Sequence, residues 1–248
     1  NGRFPFLITV ATIFISGSIA GIFSGLVAAI VVMFVVLLGI LLTLLVSKIL
    51  SKTILKGLPS SFTLELPPYR TPQIGKILIR SLFDRTLFVL GKAISIAAPA
   101  GIVIWLFSNI NVGGISILDF IANALNPFAK LIGLDGYILT GFILGIPANE
   151  IVLPIILMGY LKNKELIDIE NVAVIGNILT ANGWNLLTAI NVMIFTLLHF
   201  PCGTTLLTIK KETKSIKWTI VSFLLPTLCG IIVCFITTQT YNLINLLI

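Results

Sequence analysis

Long apolar stretches separated by short polar connectors make up most of this chain. The hydrocarbon core of a bilayer is about 30 Å thick and requires about 20 apolar residues of helix, a length that the uncharged run at residues 22–46 reaches. Further apolar stretches lie at residues 87–107, 136–161, 185–209 and 218–236. Residues 4–15 are too few to cross alone and predict the end of a helix that starts upstream. The pattern therefore predicts an all-α polytopic membrane protein.

The composition excludes most other classes of protein. Of the 248 residues, 57% are hydrophobic and 10% are charged, whereas an average soluble domain carries about 25% charged residues. The net charge is +7, and eight of the basic residues lie between Lys48 and Lys92, a local cluster that is not typical of a nucleic-acid-binding protein. We expect membrane lipids, and no nucleic acid, around this chain. Its three cysteines lie in apolar stretches, which argues against a disulfide framework.

The charges of the connectors predict how the spans are arranged. Basic loops favour the cytoplasm, so we expect residues 51–85 inside and residues 108–135 outside. If residues 136–161 crossed the membrane fully, the connector at 210–217, which contains four lysines, would lie outside, against this rule. A re-entrant hairpin that turns at Pro147 returns the chain to the outer side and places that connector inside. The sequence therefore predicts a helical bundle with a re-entrant hairpin and broken helices.

This interpretation divides the chain into six segments. Residues 51–85 form a cytosolic linker, in which the proline-containing segment 66–72 is extended and the polar residues after Gln73 recur at the spacing of a helix on the membrane surface. The other segments are N-terminal membrane helices (1–50), a membrane helix (86–107), an external interfacial connector (108–135), a unit made of the hairpin 136–161 and a broken helix 171–209 (together 136–209), and a C-terminal membrane helix with its tail (210–248). The sequence that begins at Asn1 lacks the pattern of a signal peptide, so we interpret the chain as a segment of a longer protein.

Glu150 is an acidic residue deep within an apolar stretch. An ionised carboxylate there costs about 2.5–3.5 kcal/mol, so it needs a partner or a bound cation. Asn149 adds an amide oxygen, and the break at Pro147 frees backbone carbonyls, as broken helices do at the substrate sites of transporters. A substrate path is therefore one interpretation of this segment. The other is a structural carboxylate at the positive end of a half-helix that begins at Asn149.

A second polar cluster lies in the stretch 185–209. At about 100° per residue, six polar side chains share about 140° of one helix face: Asn185, Thr188, Asn191, Thr196, His199 and Cys202. Pro201 interrupts the helix and leaves the Leu197 carbonyl without its helical donor. The stripe either makes hydrogen bonds between helices, with His199 as a packing residue, or it contributes to a binding site.

The two broken segments together offer the donor atoms of a metal site. Thiolate, imidazole and carboxylate in combination suit a borderline transition metal better than Na⁺ or Mg²⁺. The candidate metal contacts are Glu150, Cys202, Asn149 and His199.

Three blocks of sequence resemble one known family. Residues 64–72 read LELPPYRTP, residues 141–154 read GFILGIPANEIVLP, and residues 199–206 read HFPCGTTL, followed by KKET at 210–213. In order and spacing these blocks resemble the ferrous iron transport protein B family, FeoB, and the likeness covers nearly the whole chain. The family usually has Phe where Ile146 stands.

The resemblance implies the membrane-embedded part of a ferrous iron importer, a multi-pass protein of the bacterial cell (inner) membrane. Members of the family join an N-terminal cytosolic GTP-binding domain to two inverted gate repeats, which look like the nucleoside-transporter gate fold and contain re-entrant hairpins. Residues 136–209 would be the second repeat. Arg3-Phe4-Pro5 resembles the Arg-Leu-Pro that follows the first gate motif, so we expect that motif and the GTP-binding domain outside this chain.

The same resemblance implies the partners of the chain. They are Fe²⁺ as transported substrate, the N-terminal half of FeoB with its GTP-binding domain, a FeoA-like small cytosolic protein, and further copies in a homo-oligomer. No permanently bound cofactor is implied, and GTP would act only through the absent domain. The gate cysteines of the family are its proposed iron contacts, which favours Cys202.

Two other functions stay open at this point. One is a non-transporting membrane subunit that docks a cytosolic GTPase on residues 48–85, and the other is a gate-fold symporter of nucleosides or other solutes. An enzyme is not expected, because the sequence has no phosphate-binding loop and His199 is its single histidine.

Overall fold

The structure is a computed structural model that describes residues 3–16, 23–53, 73–164 and 171–247. Within these ranges the chain is helical apart from connecting turns and one two-stranded β-hairpin, so the predicted all-α fold is confirmed. The extended segment predicted at 66–72 lies outside the described residues.

The described elements follow one another with short connections. They are α1 (Arg3–Ala11) with a π-helical turn (Thr12–Ser16), α2 (Ser24–Thr53), α3 (Ile74–Arg80) with a π-helical turn (Ser81–Leu87), α4 (Phe88–Asn109), β1 (Asn111–Val112), β2 (Ile115–Ser116), α5 (Ile117–Leu131), α6 (Gly136–Leu144), a 3₁₀ turn (Asn149–Ile151), α7 (Val152–Leu161), α8 (Val172–Ala181), α9 (Leu186–Leu198), α10 (Gly203–Thr213) and α11 (Ile216–Leu247). β1 and β2 pair antiparallel, with Asn111 opposite Ser116.

Three of the described helices are long and apolar enough to cross a membrane: Gly25–Thr53, Leu186–Thr213 and Ile216–Leu247. The second of these contains both α9 and α10. Helices α5 and α6 meet at an angle of 111° and would provide a fourth span if the pair is counted as one broken span. The predicted multi-pass membrane protein is therefore confirmed.

Helices α6 and α7 form an antiparallel hairpin. Their side-by-side packing is close because Gly141 faces Ile156, Gly145 faces Val152, and the ring of Tyr137 covers Gly159. With 9 and 10 residues, the two helices are each about 15 Å long, half the thickness of the bilayer core. The fold-back of the chain at this place is what the connector charges predict, and re-entry of the hairpin into the membrane stays a prediction.

The hairpin opens at the end of the molecule where α4 finishes. The Ser108 hydroxyl donates a hydrogen bond to the Asn163 carbonyl (3.1 Å), and the Asn109 amide donates to the Lys164 carbonyl (3.2 Å). The C-terminal end of α4 therefore lies beside residues 163 and 164, which follow α7.

The opposite end of the molecule carries the basic connector between α10 and α11. Leu50 of α2, Thr213 of α10 and Trp218 of α11 line one cavity there, so the C-terminal end of α2 lies beside that connector. The lysines of these described segments are Lys48, Lys52, Lys210, Lys211, Lys214 and Lys217. Their gathering at one end is the arrangement expected of a cytoplasmic face.

The core is built around α9. Its residues Ala189, Val192 and Met193 are completely buried, and helices α1, α2 and α11 pack around them. α1 runs antiparallel to α9, since Arg3 contacts Leu197 whereas Phe14, at the other end, stacks on Trp184. α1 is thus a short helix that buries one face, formed by Phe6, Leu7, Val10 and Ala11, against the core, while Phe4 and Ile8 on its other face are exposed.

The end where the hairpin opens is held by a polar network. The Asp135 carboxylate accepts from the Ile138 backbone N–H (2.8 Å) as the N-cap of α6 and accepts a short hydrogen bond from the Tyr160 hydroxyl. That hydroxyl in turn accepts from the Trp184 indole N–H (2.6 Å). The network joins α6, α7 and the start of α9, which makes this end of the hairpin rigid.

Most of the polar stripe of α9 is structural. Asn185 caps the helix by accepting from the Thr188 N–H (2.9 Å). Asn191 is fully buried; its amide donates to Ile132 O (3.1 Å) and Thr238 Oγ1 (2.8 Å), and its oxygen accepts from Thr237 (2.6 Å). The interhelical hydrogen-bonding interpretation therefore holds for Asn191, whereas Asn185 bonds within its own helix.

The contact between α5 and α6 yields a first prediction. A Cβ at Gly136 would overlap the Ala122 carbonyl oxygen, which is rigid backbone. We expect Gly136→Ala to lower the free energy of unfolding by about 3 kcal/mol, at the upper end of overpacking costs. Thermal unfolding of the detergent-purified natural protein that contains this chain measures the loss.

The matched control is Gly101→Ala in α4, where a Cβ meets no atom within 4 Å. This change should be neutral or raise stability by up to about 1 kcal/mol through helix propensity. Equal unfolding temperatures for the two variants would contradict the close approach of α5 and α6.

Candidate functional site

The tip of the α6–α7 hairpin meets the break between α9 and α10. α6 stops at Gly145, and Pro147 cannot donate a backbone hydrogen bond, so the chain stays irregular until the 3₁₀ turn at Asn149. The Gly203 N–H at the start of α10 donates to the Ile146 carbonyl at the tip (2.7 Å). We refer to residues 145–151 and 199–205 as the junction.

The break on the α9 side follows from Pro201. His199 and Cys202 both have extended backbone, with ψ of 174° and 159°, before α10 begins. Pro201 deprives the Leu197 carbonyl of its helical donor, as expected from the sequence. The replacement donor is Arg3, whose guanidinium binds the carbonyls of Leu197 (3.1 Å) and Phe200 (2.9 Å).

Sequence reasoning missed this role of Arg3. In the sequence, Arg3 contributes only to the resemblance of Arg3-Phe4-Pro5 to a family motif. An arginine at the start of an apolar helix is nevertheless a signal in itself, because such a charge needs a partner. Its partners lie 194 and 197 residues away in sequence. Only the tertiary structure identifies them.

Cys202 lies at the N-terminal end of α10. Its sulfur is hydrogen-bonded with the hydroxyls of Thr204 (3.1 Å) and Thr205 (3.2 Å), and the side chain is half-buried. The Arg3 guanidinium is close enough to interact electrostatically with the sulfur. Cys202, Cys229 and Cys234 are all free thiols, in agreement with the absence of a disulfide framework.

His199 is 3% exposed and lies among three phenylalanine rings. The ring centroids of Phe142, Phe195 and Phe200 are 4.9, 5.7 and 4.9 Å from the imidazole. Its Nδ1 is 2.9 Å from the carbonyls of Phe195 and Thr196, and because carbonyls only accept, Nδ1 carries the proton. Nε2 of the neutral ring is then an acceptor, and it is buried without a hydrogen-bond partner among the described residues.

Asn149 and Glu150 lie on the hairpin side of the junction. The side-chain oxygen of Asn149 is buried and finds no hydrogen-bond partner in the part of the chain that the structure describes, whereas Glu150 is exposed. Glu150 lies in the first turn of the 3₁₀ helix, which is the place that the structural-carboxylate alternative requires, so that alternative stays a prediction beside the substrate path. An exposed carboxylate at the tip of a half-length hairpin requires water or another polar partner rather than lipid.

The four candidate metal contacts do not form a preassembled ligand set. Within the part of the chain that the structure describes, no three His, Cys, Asp or Glu side chains are close enough to hold one metal ion. In this conformation His199 lies among aromatic rings and Glu150 is exposed, so a metal role for the thiolate, imidazole and carboxylate stays a prediction. What the junction does bring together is two broken segments that carry unpartnered acceptor atoms.

Comparisons with known proteins identify two domains. Residues 32–84 match the family model described as ferrous iron transport protein B C terminus, and residues 90–216 match the Gate model, described as nucleoside recognition. No solved structure matches the chain.

Several relatives are similar over most of this chain, and each bears the name Fe(2+) transporter FeoB. The protein of Staphylococcus aureus strain MSSA476 is 31% identical over 201 residues, which are 77% of this chain and 28% of that protein. That of Synechocystis is 24% identical over 73% of this chain and 28% of its own length. That of Methanocaldococcus jannaschii is 25% identical over 77% of this chain and 29% of its own length.

The chain spans under a third of the length of these relatives. The matches cover the segments that contain the three sequence blocks, so the resemblance to ferrous iron transport protein B is confirmed. Because the Gate match extends over just over half of its residues, the chain belongs to the Gate family, as a relative of ferrous iron transport protein B.

Proposed function

We propose that this chain is the second gate half of a ferrous iron importer of the bacterial inner membrane and that the ion passes through the junction. On this proposal Fe²⁺ makes successive contacts with Glu150, Asn149, Cys202 and His199 rather than resting in one closed site. The hairpin tip and the helix break would separate and rejoin as the ion moves.

The observation that carries the proposal is the pair of buried acceptors without partners, Asn149 Oδ1 and His199 Nε2. Leaving a buried polar atom unpaired costs about 1–3 kcal/mol, and such atoms are rare in native structures. Both atoms offer lone pairs, and both belong to segments joined by the Gly203–Ile146 hydrogen bond. A cation passing the junction would use these lone pairs.

The donor types favour a transition metal over a hard cation. An imidazole nitrogen and a thiol sulfur suit Fe²⁺, whereas Na⁺ and Mg²⁺ prefer sites made of oxygen alone. Arg3 opposes a fixed divalent ion beside Cys202, because its charge interacts with the sulfur. This repulsion suits a path better than a storage site, since an ion that binds weakly leaves quickly.

Control of transport would come from outside the chain. We propose that a GTP-binding domain acts on the basic end of the molecule, near the connector at 210–217, with a FeoA-like protein and further copies as partners. The relatives, of which the matched region is 28%, have room for such domains. The chain itself would have no enzymatic activity.

The Gate model's description favours a second candidate, a nucleoside symporter. Such a protein needs aromatic rings that are free to stack on a base. The rings around His199 are not free, because Phe142, Phe195 and Phe200 are between 1% and 4% exposed. The junction therefore supports ion passage better than nucleoside binding.

Cys202→Ser tests the thiol directly. In the natural full-length protein reconstituted in vesicles, we expect Fe²⁺ uptake to fall about 10- to 100-fold, the usual effect of weakening a metal contact. Cys229→Ser is the matched control, because Cys229 is another free, half-buried cysteine, on α11. Uptake that is unchanged in both variants would remove the thiol from the path.

Glu150→Gln tests the exposed carboxylate at the hairpin tip. The change keeps the shape and removes the charge, so we expect Fe²⁺ uptake at subsaturating iron to fall about tenfold, the effect of about 1.4 kcal/mol of lost attraction. Glu212→Gln, an equally exposed glutamate in α10, should leave uptake within a factor of two of the wild type. An equal fall in both variants would show that the effect is one of overall charge.

Asn149→Leu separates function from stability. Removing a buried oxygen that has no partner should raise the free energy of unfolding by about 1 kcal/mol, while Fe²⁺ uptake falls. Asn191→Leu is the contrasting variant: its amide is fully hydrogen-bonded, so its loss should lower stability by about 1–3 kcal/mol. A destabilised Asn149→Leu protein with normal uptake would show that this oxygen serves packing.

A further inference from the structure

A large cavity opens between α2, α9, α10 and α11 on the basic side of the junction. Its volume is about 530 Å³, within the range of small-molecule and cofactor sites. The wall is mostly apolar and is formed by Leu50, Leu197, Pro201, Ile209, Val221 and Leu225. Such a wall suits hydrocarbon and does not suit a hydrated ion.

The cavity has a defined direction along α11. Of the α11 residues that line it, Trp218 is the first and Pro226 the last. Eight residues of helix separate them by about 12 Å, and we call these two ends the mouth and the deep end. Trp218 is half-buried, a setting typical of tryptophan at the boundary between hydrocarbon and lipid headgroups. The mouth therefore lies at headgroup level and the deep end within the hydrocarbon.

The mouth is strongly basic. Lys214 directly follows α10 and Lys217 lies in the first turn of α11; both come between the lining residues Thr213 and Trp218 in sequence, and both are exposed. Lys210 and Lys211 occupy the last turn of α10 and are followed by Glu212, the acidic residue of this segment. Each lysine near a membrane surface attracts anionic headgroups by an amount worth about a fivefold change in binding.

We propose that this cavity binds one anionic phospholipid, with an acyl chain against Leu225 and Pro226 and the headgroup phosphate at the Lys214–Lys217 turn. The apolar wall fits the chain, and the lysines complement the phosphate. Arg3 and His199 also line the cavity, so the lipid would lie directly behind the α9–α10 break. A lipid in the cavity would thus change how far the α9–α10 break can open, whichever substrate passes the junction.

Quenching of Trp218 fluorescence tests the proposal. The purified natural protein is placed in phosphatidylcholine vesicles that contain an equal fraction of acyl-brominated phosphatidylglycerol or acyl-brominated phosphatidylcholine, and the Trp218 signal is taken as the difference from Trp218→Phe. We expect phosphatidylglycerol to quench Trp218 with an affinity about fivefold or more above that of phosphatidylcholine. Equal quenching by the two lipids would overturn the proposal, and no quenching by either would show that protein fills the cavity.

Two lysine pairs separate a specific site from general surface charge. In the double variant Lys214→Gln with Lys217→Gln, the affinity for phosphatidylglycerol should fall to that for phosphatidylcholine. The control pair is Lys162→Gln with Lys164→Gln at the other end of the molecule, and it is matched because Lys162 and Lys214 both end a helix in the left-handed conformation, with φ of 51° and 50°. If the control pair reduced the preference as much, the proposal would fail.

Ser222→Phe tests the cavity independently of charge. Ser222 lines the wall, and a phenyl ring there would fill part of the space for the acyl chain. We expect quenching of Trp218 to fall for both lipids, with unchanged thermal unfolding. Unchanged quenching would place the lipid in the surrounding bilayer rather than in the cavity.

Discussion

A broken helix within a bilayer must find partners for its backbone inside the protein, because lipid offers none. Two such breaks meet in the described part of this chain, and each provides the hydrogen-bonding group that the other needs. The Gly203 N–H, free because α10 begins there, binds the Ile146 carbonyl, free because α6 ends at Gly145. One hydrogen bond of 2.7 Å thus fixes the depth of the hairpin tip and the position of Cys202 at the same time.

Arg3 provides hydrogen-bond donors to the backbone carbonyls at the α9–α10 break. Pro201 removes a donor from the last turn of α9, and the guanidinium replaces it with donors to Leu197 and Phe200. Hydrogen bonds to a charged group are worth about 1.5–3 kcal/mol, and at a helix C-terminus the positive charge also matches the dipole. α1 is therefore held to the core by a polar contact at one end and by the Phe14–Trp184 stack at the other.

The sequence was sufficient for features that depend on local pattern. Connector charge predicted the hairpin, Pro147 and Pro201 marked both breaks, and Pro201 identified Leu197 as a carbonyl in need of a donor. It was not sufficient for features that depend on which distant residues meet. Asn191 shared the helix face of His199, yet contacts with Thr237 and Thr238 make it structural, whereas the carboxylate of Glu150 turned outward instead of joining a ligand set. Helical periodicity reports the direction of a side chain but not the partner it finds there.

The contrast between the two ends of the hairpin bears most directly on function. At its opening, Asp135, Tyr160 and Trp184 form a connected network in which both carboxylate oxygens accept hydrogen bonds. At its tip, Asn149 keeps a buried oxygen without a partner, and His199 across the junction keeps a nitrogen in the same state. The unpaired acceptors at the tip are therefore the atoms that a ligand or a further protein segment would meet. On the proposed function, the rigid opening would be the fixed frame against which the tip and the α9–α10 break move.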